Sequence, residues 1–175
     1  QAKAALIWYA ETFREQQNKI QMDAGNLPPN YVHGYLPLPD LGTNNNTNPF
    51  GCPNYPSGEG CDANLSGSAL NKTVIGRFPW ALFGTGPLRD GYGECLWYAV
   101  SGSHQRIEKI EPMNWDALGQ IDIVTTNETD LAKLKSLLAT AHDRPTAVIF
   151  SPGPPLTYQN RGATDGNNVT HCGGN

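Results

Sequence analysis

The chain has 175 residues, of which only 16% are charged, and its formal net charge is −4 at pH 7. A chain of this length ordinarily forms one domain, 1–175, and can bury a core of its own. The acidic balance excludes a general attraction to nucleic acid or to an anionic membrane, and no apolar run in the sequence is long enough to cross a bilayer.

Residues 1–22 show the spacing of an amphipathic helix. Apolar side chains recur every three, four or seven positions, which places them on one face. Gly25 and the pair Pro28 and Pro29 follow and end the predicted helix. The apolar face consists of Ala2, Leu6, Tyr9, Phe13 and Ile20.

Residues 23–93 are rich in proline, glycine and asparagine and show little periodicity, so we predict a long loop region there. Its last part, together with the residues up to 100, alternates aromatic side chains with glycine and proline. Aromatic side chains bury large apolar areas, so we expect Trp80 and Trp97 to be the main buried side chains that hold together a compact, turn-rich segment.

The range 94–151 is predicted to form a sheet with one short helix. The strands are expected at 94–101, 120–126 and 146–151, and the third is expected to be central because it is continuously apolar. In the second strand, Ile121 and Ile123 are expected to point inward and Asp122 outward.

A leucine stripe predicts a helix at 129–142, which Pro145 prevents from continuing. Residues 152–175 are predicted to be a C-terminal loop.

Four cysteines allow three disulfide pairings. An even number of cysteines in such a low-charge, loop-rich chain favours disulfides in an oxidising compartment, although four free thiols in a cytosolic protein are the alternative. We favour Cys52–Cys61, which would close a Pro/Gly loop, and Cys95–Cys172, which would tie the C-terminal loop to a central strand. By chain entropy these bonds would contribute about 3 and 4.5 kcal/mol.

No catalytic motif is present. Ser151, Ser103 and His104 invite a hydrolase interpretation, but no serine lies in a G-x-S-x-G elbow and the histidines are dispersed. Asp90 and Glu94 could supply oxygen ligands to calcium, although Asx-rich turns need no ion. We therefore predict no enzyme and no cofactor, with calcium as the alternative.

Five segments in a fixed order resemble the bacterial type IV pilin-like proteins, the minor pilins and pseudopilins made as prepilins. The resemblance extends over nearly the whole chain, and two positions depart from the family pattern: Leu38, where cysteine is frequent, and Tyr92, where tryptophan is usual. The segments are AALIWYA at 4–10, GYLPLPD at 34–40, GRFPW at 76–80, DGYGECLWYAV at 90–100, and AVIFSPG at 147–153 with Leu156, Gln159 and Arg161.

This resemblance implies an α+β fold, in which a long N-terminal helix packs on a small antiparallel sheet with long disulfide-bound loops. The helix–sheet contact would then use Leu6, Tyr9, Phe13, Ile20, Trp80 and Trp97. The resemblance also implies a hydrophobic segment upstream of Gln1 and a prepilin leader, both outside this sequence. Cys95–Cys172 would serve as the pilin disulfide that fastens the C-terminal part to the sheet.

The implied function is assembly into a type IV pilus or a related secretion or competence filament. The partners would be other pilin subunits, contacted through the N-terminal helix and the loops, and the inner membrane, contacted through the upstream segment. The subunit would have a periplasmic head before assembly and become extracellular in the filament. Binding of DNA would need a stripe of basic side chains, and the sequence offers few of them. The candidates are Lys72, Arg77, Arg89 and Arg106.

The alternative is a secreted or tip-located adhesin that binds a host or surface ligand. Exposed aromatic side chains would stack on the sugars of such a ligand; the candidates are Tyr31, Tyr35, Phe50, Tyr55 and Trp115.

Overall fold

The fold is that of a computed structural model, which describes residues 1–23, 32–41, 59–63, 70–106, 111–125, 135–158 and 172. Over these residues the protein is α+β, with one α-helix and two small antiparallel sheets. The helix α1 spans Ala2–Asp23, and the strands are β1 Val74–Arg77, β2 Trp97–Val100, β3 Val124–Thr125, β4 Lys135–Ser136 and β5 Ala147–Phe150. Three short 3₁₀ helices span Trp80–Phe83, Gly102–His104 and Ala141–Asp143.

The larger sheet has the strand order β1-β2-β5, and both strand pairs are antiparallel. Strand β2 is therefore central, and β5 lies at an edge of the described sheet. The prediction that residues 146–151 form the central strand is wrong, because β2 is the central strand of the described sheet. Position in a sheet depends on pairing, which an apolar run does not encode.

Strand β1 lies inside the range 23–93 that the sequence predicts as loop. It is held on one side by β2 and on the other by Asp40, whose backbone N–H donates to Arg77 O at 2.9 Å and whose carbonyl accepts from Arg77 N–H at 2.8 Å. Gly76 allows this approach, because a Cβ atom there would lie 2.4 Å from the Asp40 carbonyl oxygen. The strand is short and contains Gly76 and Arg77, which hide its β pattern.

One face of the β1-β2-β5 sheet carries the core. Successive strand residues point to opposite faces, so the register places two rows of side chains on the face toward α1. Leu6 of α1 belongs to the same buried cluster as Tyr98 and Val100 of β2. The two rows are Val74, Val100 and Ala147, and Gly76, Tyr98 and Ile149.

The second half of the predicted helix 129–142 is not α-helical, and 129–134 lie outside the described residues. Lys135 and Ser136 instead form β4, which pairs with β3. The Ser136 hydroxyl donates to Asp122 Oδ1 at 2.5 Å and accepts from the Leu138 N–H at 3.1 Å. A side chain that binds nearby backbone groups competes with helix hydrogen bonds, which accounts for the difference.

The predicted strand 120–126 is also shorter than expected, since the described part contains only β3 at Val124–Thr125. Its inward-pointing pattern is wrong as well, because Ile123 is 40% exposed and lies in the same exposed stretch as Asp122. Leu137 N–H donates to Ile123 O at 2.7 Å, so this part of the chain is joined by backbone contacts more than by buried side chains. The described residues after 151, namely 152–158 and 172, contain no helix or strand.

Candidate interaction surface along the N-terminal helix

Helix α1 is docked by three aromatic and aliphatic side chains. Leu6, Tyr9 and Phe13 are each at most 5% exposed. The Tyr9 ring lies 5.0 Å from Phe13 and meets Phe83 edge-on at 6.0 Å, where the distances join ring centroids. Ile20 also belongs to α1, but its side chain lies outside the described part. The N-terminal half of the helix is thus fixed along one side by a continuous apolar contact.

Tyr98 is the fully buried residue at the centre of this contact. Its hydroxyl donates to the Pro37 carbonyl at 3.1 Å, and Phe78 meets its ring edge-on with the centroids 6.0 Å apart. Burial, with smaller contributions from Tyr9 and Asp62, raises the pKa of Tyr98 well above its usual value. Tyr98 is therefore a neutral donor that joins the 36–41 segment to the sheet.

The two predicted tryptophan anchors lie in different places. Trp80 is 2% exposed and belongs to the buried cluster, where its ring packs against Gly60 so closely that a Cβ atom there would lie 2.4 Å away. Trp97 does not contact the helix side of the sheet. It precedes Tyr98 in β2, so it points to the opposite face, where it packs on Phe150 with the ring centroids 6.2 Å apart.

A groove of about 660 Å³ runs between α1 and the edge strand β5. The helix contributes Lys3, Leu6, Ile7, Ala10 and Glu11 to its walls, and the remaining lining residues are Leu36, Thr146, Ala147 and Ile149. Apolar side chains form its floor, and the charged Lys3 and Glu11 lie on the helix wall on either side of Ile7. The sequence analysis did not identify this groove, although the spacing of positions 3, 7 and 11 would have placed these residues on one side of a helix.

The helix also keeps an exposed apolar surface. Ile7 is 47% exposed and lines the groove, whereas Trp8 is 48% exposed and does not line it. Large apolar side chains that stay exposed on a docked helix are typical of contact sites for other molecules. None of the helices in the described residues has the length and apolar character to cross a membrane.

The Cys95–Cys172 disulfide predicted from the sequence is confirmed, with the two Cα atoms 5.5 Å apart. It joins Cys95, two residues before the start of β2, to a position 77 residues later in the chain. The Cys172 N–H also donates to Glu59 Oε1 at 2.7 Å, so the C-terminal segment is fixed to two separate parts of the fold. Cys61 is disulfide-bonded as well, and its predicted partner Cys52 lies outside the described residues.

The calcium candidate Asp90 is used within its own turn. Its Oδ1 accepts the backbone N–H groups of Tyr92 and Glu94 at 2.8 and 3.0 Å, and its Oδ2 accepts the Ser151 hydroxyl at 2.5 Å. The hydrogen bond from Ser151, followed by the backbone donors, lowers the pKa of Asp90. The part of the chain that the structure describes holds no group of three His, Cys, Asp or Glu side chains placed to bind a metal ion.

The contact between Ser103 and His104 does not have the geometry of an activated nucleophile. The Ser103 hydroxyl has one proton and donates it to the Leu118 carbonyl at 2.7 Å. The 2.8 Å contact with His104 Nδ1 must then use a proton on the imidazole, with Ser103 as the acceptor. In this arrangement His104 is a donor at Nδ1, whereas a general base would need a free lone pair there.

Two of the four basic candidates for DNA contact are buried. Arg106 donates through Nε to Asp62 Oδ2 at 2.6 Å, and its guanidinium forms a buried ion pair with that carboxylate. Arg77 is 6% exposed in β1. Neither side chain is available to a phosphate backbone.

The aromatic candidates for sugar binding differ sharply in exposure. Tyr35 is buried, and its hydroxyl donates to the Glu111 carbonyl at 3.2 Å; burial raises its pKa, with Glu111 adding to the shift. Trp115 is 95% exposed in a turn closed by the Ala117 N–H and the Asn114 carbonyl at 3.0 Å. Tyr31, Phe50 and Tyr55 lie outside the described residues.

Comparison with known proteins identifies no relative: no protein-family model matches the chain, and no curated protein or solved structure is significantly similar to it.

Proposed function

We propose that this chain is the globular head of a type IV pilin-like subunit, which works by assembly into a filament and carries out no catalysis. The observation that supports this most is the packing of α1, whose Leu6 lies in the buried cluster that holds Tyr98 and Val100 of the antiparallel sheet and whose Tyr9 meets Phe83 edge-on. The five sequence segments that resemble pilin-like proteins lie within this same helix and sheet or border them.

The positions of these segments support the proposal further. GRFPW at 76–80 overlaps the last two residues of β1, the segment at 90–100 contains β2, and AVIFSPG at 147–153 contains β5. GYLPLPD at 34–40 reaches β1 through Asp40 and reaches β2 through the hydrogen bond from Tyr98 to Pro37. A disulfide joins Cys172 in the C-terminal segment to Cys95, two residues before β2, where the resemblance implies the pilin disulfide.

In this proposal the exposed side of α1 around Trp8 contacts neighbouring subunits. A filament is built from heterologous contacts, so the surface of one subunit meets a different surface of the next. A segment encoded upstream of Gln1 would continue α1, anchor the subunit in the inner membrane before assembly, and enter the filament core afterwards.

The test is to express the complete gene in a host that assembles type IV pili, with and without its prepilin peptidase. We expect a shorter mature chain in filaments sheared from the cell surface when the peptidase is present, and an unprocessed chain in the inner membrane when it is absent. A chain that is secreted in the same form in both strains would contradict the proposal.

A matched pair of variants then tests the helix surface. Trp8→Asp should reduce the amount of subunit in the sheared filaments, because it places a charge on a contact surface. Leu137→Asp should leave the amount unchanged, because Leu137 is also exposed but lies at the β4 end of the molecule. Equal recovery of both variants would show that this side of α1 does not take part in the filament contacts.

One observation favours an adhesin as the second candidate function, namely the full exposure of Trp115 on its turn. Aromatic rings stack on the apolar faces of sugars. A glycan array with the native chain and Trp115→Ala should show binding that the variant loses, while Tyr158→Ala serves as an exposed aromatic control. An array without signal would count against this candidate and leave the assembly proposal intact.

A further inference from the structure

We infer that the outer edge of β5 accepts an extended peptide segment of a partner protein as an added antiparallel strand, whose alternate side chains enter the groove between α1 and β5. The segment that fits has an apolar residue with an acidic residue two positions to one side and a basic residue two positions to the other. The inference does not depend on the filament proposal, which uses the side of α1 around Trp8.

The register of the sheet shows which backbone groups of β5 point away from β2. The Ser101 N–H donates to the carbonyl of the opposite residue, Thr146, at 2.9 Å, so these two form a hydrogen-bonded pair. Hydrogen-bonded and non-hydrogen-bonded pairs alternate along an antiparallel ladder. The backbone N–H and C=O groups of Ala147 and Ile149 therefore point outward from the sheet.

This outer edge is open in the part of the chain that the structure describes. No described residue hydrogen-bonds to the outward backbone groups of Ala147 and Ile149. Pro145 and Pro152 flank the strand and limit the edge to residues 146–151. An unpaired sheet edge offers its backbone groups to another strand, and antiparallel pairing is the more stable kind per residue, so β5 can accept a short antiparallel segment.

The groove lies where the side chains of an added strand would point. Residues that lie opposite each other in paired strands project to the same face of the sheet. The side chains of Ala147 and Ile149 line the groove, so the partner residues opposite them would place their side chains in it as well. Ile7, which is 47% exposed on the helix wall, would then be covered by an apolar side chain of the partner.

The charges on the helix wall determine which residues flank that apolar side chain. Lys3 and Glu11 lie four residues before and after Ile7, which separates them by about 12 Å along the helix. Side chains four residues apart in a strand share one face and lie about 13 Å apart, so an acidic and a basic residue at this spacing would face Lys3 and Glu11. Both side chains are exposed, and the ion pairs among the described residues involve neither of them.

A peptide matches all three features of this surface. The edge of β5 requires donors and acceptors at backbone spacing, the groove requires an apolar side chain, and the helix wall requires one charge of each sign. An acyl chain would provide only the apolar group, and a neutral sugar would leave both charges unmatched. Main-chain hydrogen bonds would supply affinity and the alternate side chains would supply specificity.

Binding of four synthetic heptapeptides to the 175-residue chain tests the inference. On the face that carries valine, TETVTKT and TKTVTET have one charge of each sign, whereas TETVTET and TKTVTKT have two like charges. We expect one of the mixed peptides to bind with a dissociation constant of about 0.1–1 mM, since the contact is small. The like-charge peptides should bind about fivefold more weakly, and the other mixed peptide more weakly still, because it meets like charges at both ends.

N-methylation distinguishes an added strand from a ligand that merely fills the groove. In an antiparallel strand, the valine amide would donate to β5, so a methyl group on this nitrogen should weaken binding about tenfold or more. A methyl group on the next threonine nitrogen, which would point away from β5, should leave the affinity unchanged. In NMR spectra of the native chain, the bound peptide should shift the amide signals of Ala147 and Ile149.

Exchanging one charge of the groove should change the preferred peptide. In Lys3→Glu both ends of the helix wall are acidic, so TKTVTKT should become the tightest of the four peptides. In Glu11→Lys both ends are basic, so TETVTET should become the tightest. Lys135→Glu, which changes an exposed lysine outside the groove, should keep the native order.

A second pair of variants tests the apolar centre of the groove. Ile7→Glu should weaken binding of the preferred peptide about tenfold or more, because it places a charge against the valine side chain. Leu137→Glu is the control, since Leu137 is an exposed leucine outside the groove, and it should leave the affinity unchanged.

Failure of all four peptides to bind at millimolar concentration would overturn the inference. A bound peptide that tolerates the methyl group on valine would overturn it too, because the groove would then hold a ligand that does not join the sheet. An order of affinities that ignores Lys3→Glu and Glu11→Lys would have the same consequence. None of these results bears on peptidase processing, so failure here is separable from failure of the filament proposal.

Discussion

Two parts of this molecule differ in how they are held together. The helix–sheet region consists of α1, β1, β2 and β5 with the loops that pack on them, and its residues Leu38, Tyr98 and Val100 are fully buried. The β3–β4 region, residues 111–125 and 135–143, relies on side-chain hydrogen bonds and keeps its leucine and tryptophan side chains at Leu137 and Trp115 exposed. Apolar burial provides most of the stability of a folded domain, so the first region should determine stability and the second should tolerate change.

The largest difference between the two regions is expected from a pair of arginine variants. Arg106→Leu leaves the buried Asp62 carboxylate without its guanidinium, which should lower the free energy of unfolding by about 3–5 kcal/mol. Arg144→Leu removes an exposed arginine that directly follows the β3–β4 region and should change the free energy of unfolding by less than about 0.5 kcal/mol. Urea unfolding of both variants measures the difference, and equal midpoints would show that the buried ion pair is not needed for stability.

A pair of leucine variants is expected to give the next largest difference. Leu6→Ala opens a cavity under α1 and should lower the free energy of unfolding by about 2–4 kcal/mol, since Leu6 is 5% exposed. Leu137→Ala should have little effect, since Leu137 is 64% exposed. Thermal unfolding followed by circular dichroism checks both. A larger loss of stability for Leu137→Ala than for Leu6→Ala would contradict the view that the helix–sheet region determines stability.

The smallest expected effect concerns a single hydroxyl in the helix–sheet region. Tyr98→Phe removes the donor to the Pro37 carbonyl and should lower the free energy of unfolding by about 1–2 kcal/mol at pH 7. The raised pKa of Tyr98 stabilises the fold below pH 10, the usual tyrosine value, and this contribution is lost as the pH rises through the raised value.

The native chain should therefore lose stability more steeply above pH 10 than the Tyr98→Phe variant does. Chemical unfolding measured at intervals from pH 8 to 11.5 tests this. If the free energy of unfolding depended on pH in the same way for the two proteins, the pKa of Tyr98 would not differ between the folded and unfolded states.

The sequence predicted the helix–sheet region better than the β3–β4 region for physical reasons. The apolar stripe of α1 has a clear helical period, and β2 and β5 are short continuous apolar runs of the kind that buried strands have. The leucines of 129–142 have an equally clear helical period, but Ser136 binds Asp122 and Leu138 and so prevents a helix at that point. A local hydrogen bond of this kind is not visible in a hydrophobic pattern.

The errors at the candidate site have a similar origin. Trp97 and Tyr98 are adjacent in one strand, so only one can face the helix, and the strand pattern alone does not tell which. To predict the groove, one would have to know that β5 lies at the edge of the described sheet. That position depends on the pairing between strands. The disulfide Cys95–Cys172 was predictable because it joins the C-terminal loop to a strand that the sequence already indicated.

The assembly proposal is tested most directly by determining the N-terminal sequence of the mature protein purified from its native host. The proposal predicts about 20 apolar residues upstream of Gln1, beginning immediately after a short basic leader that has been cleaved. A mature chain that begins close to Gln1 after removal of a secretory signal would contradict it and favour the secreted binding protein.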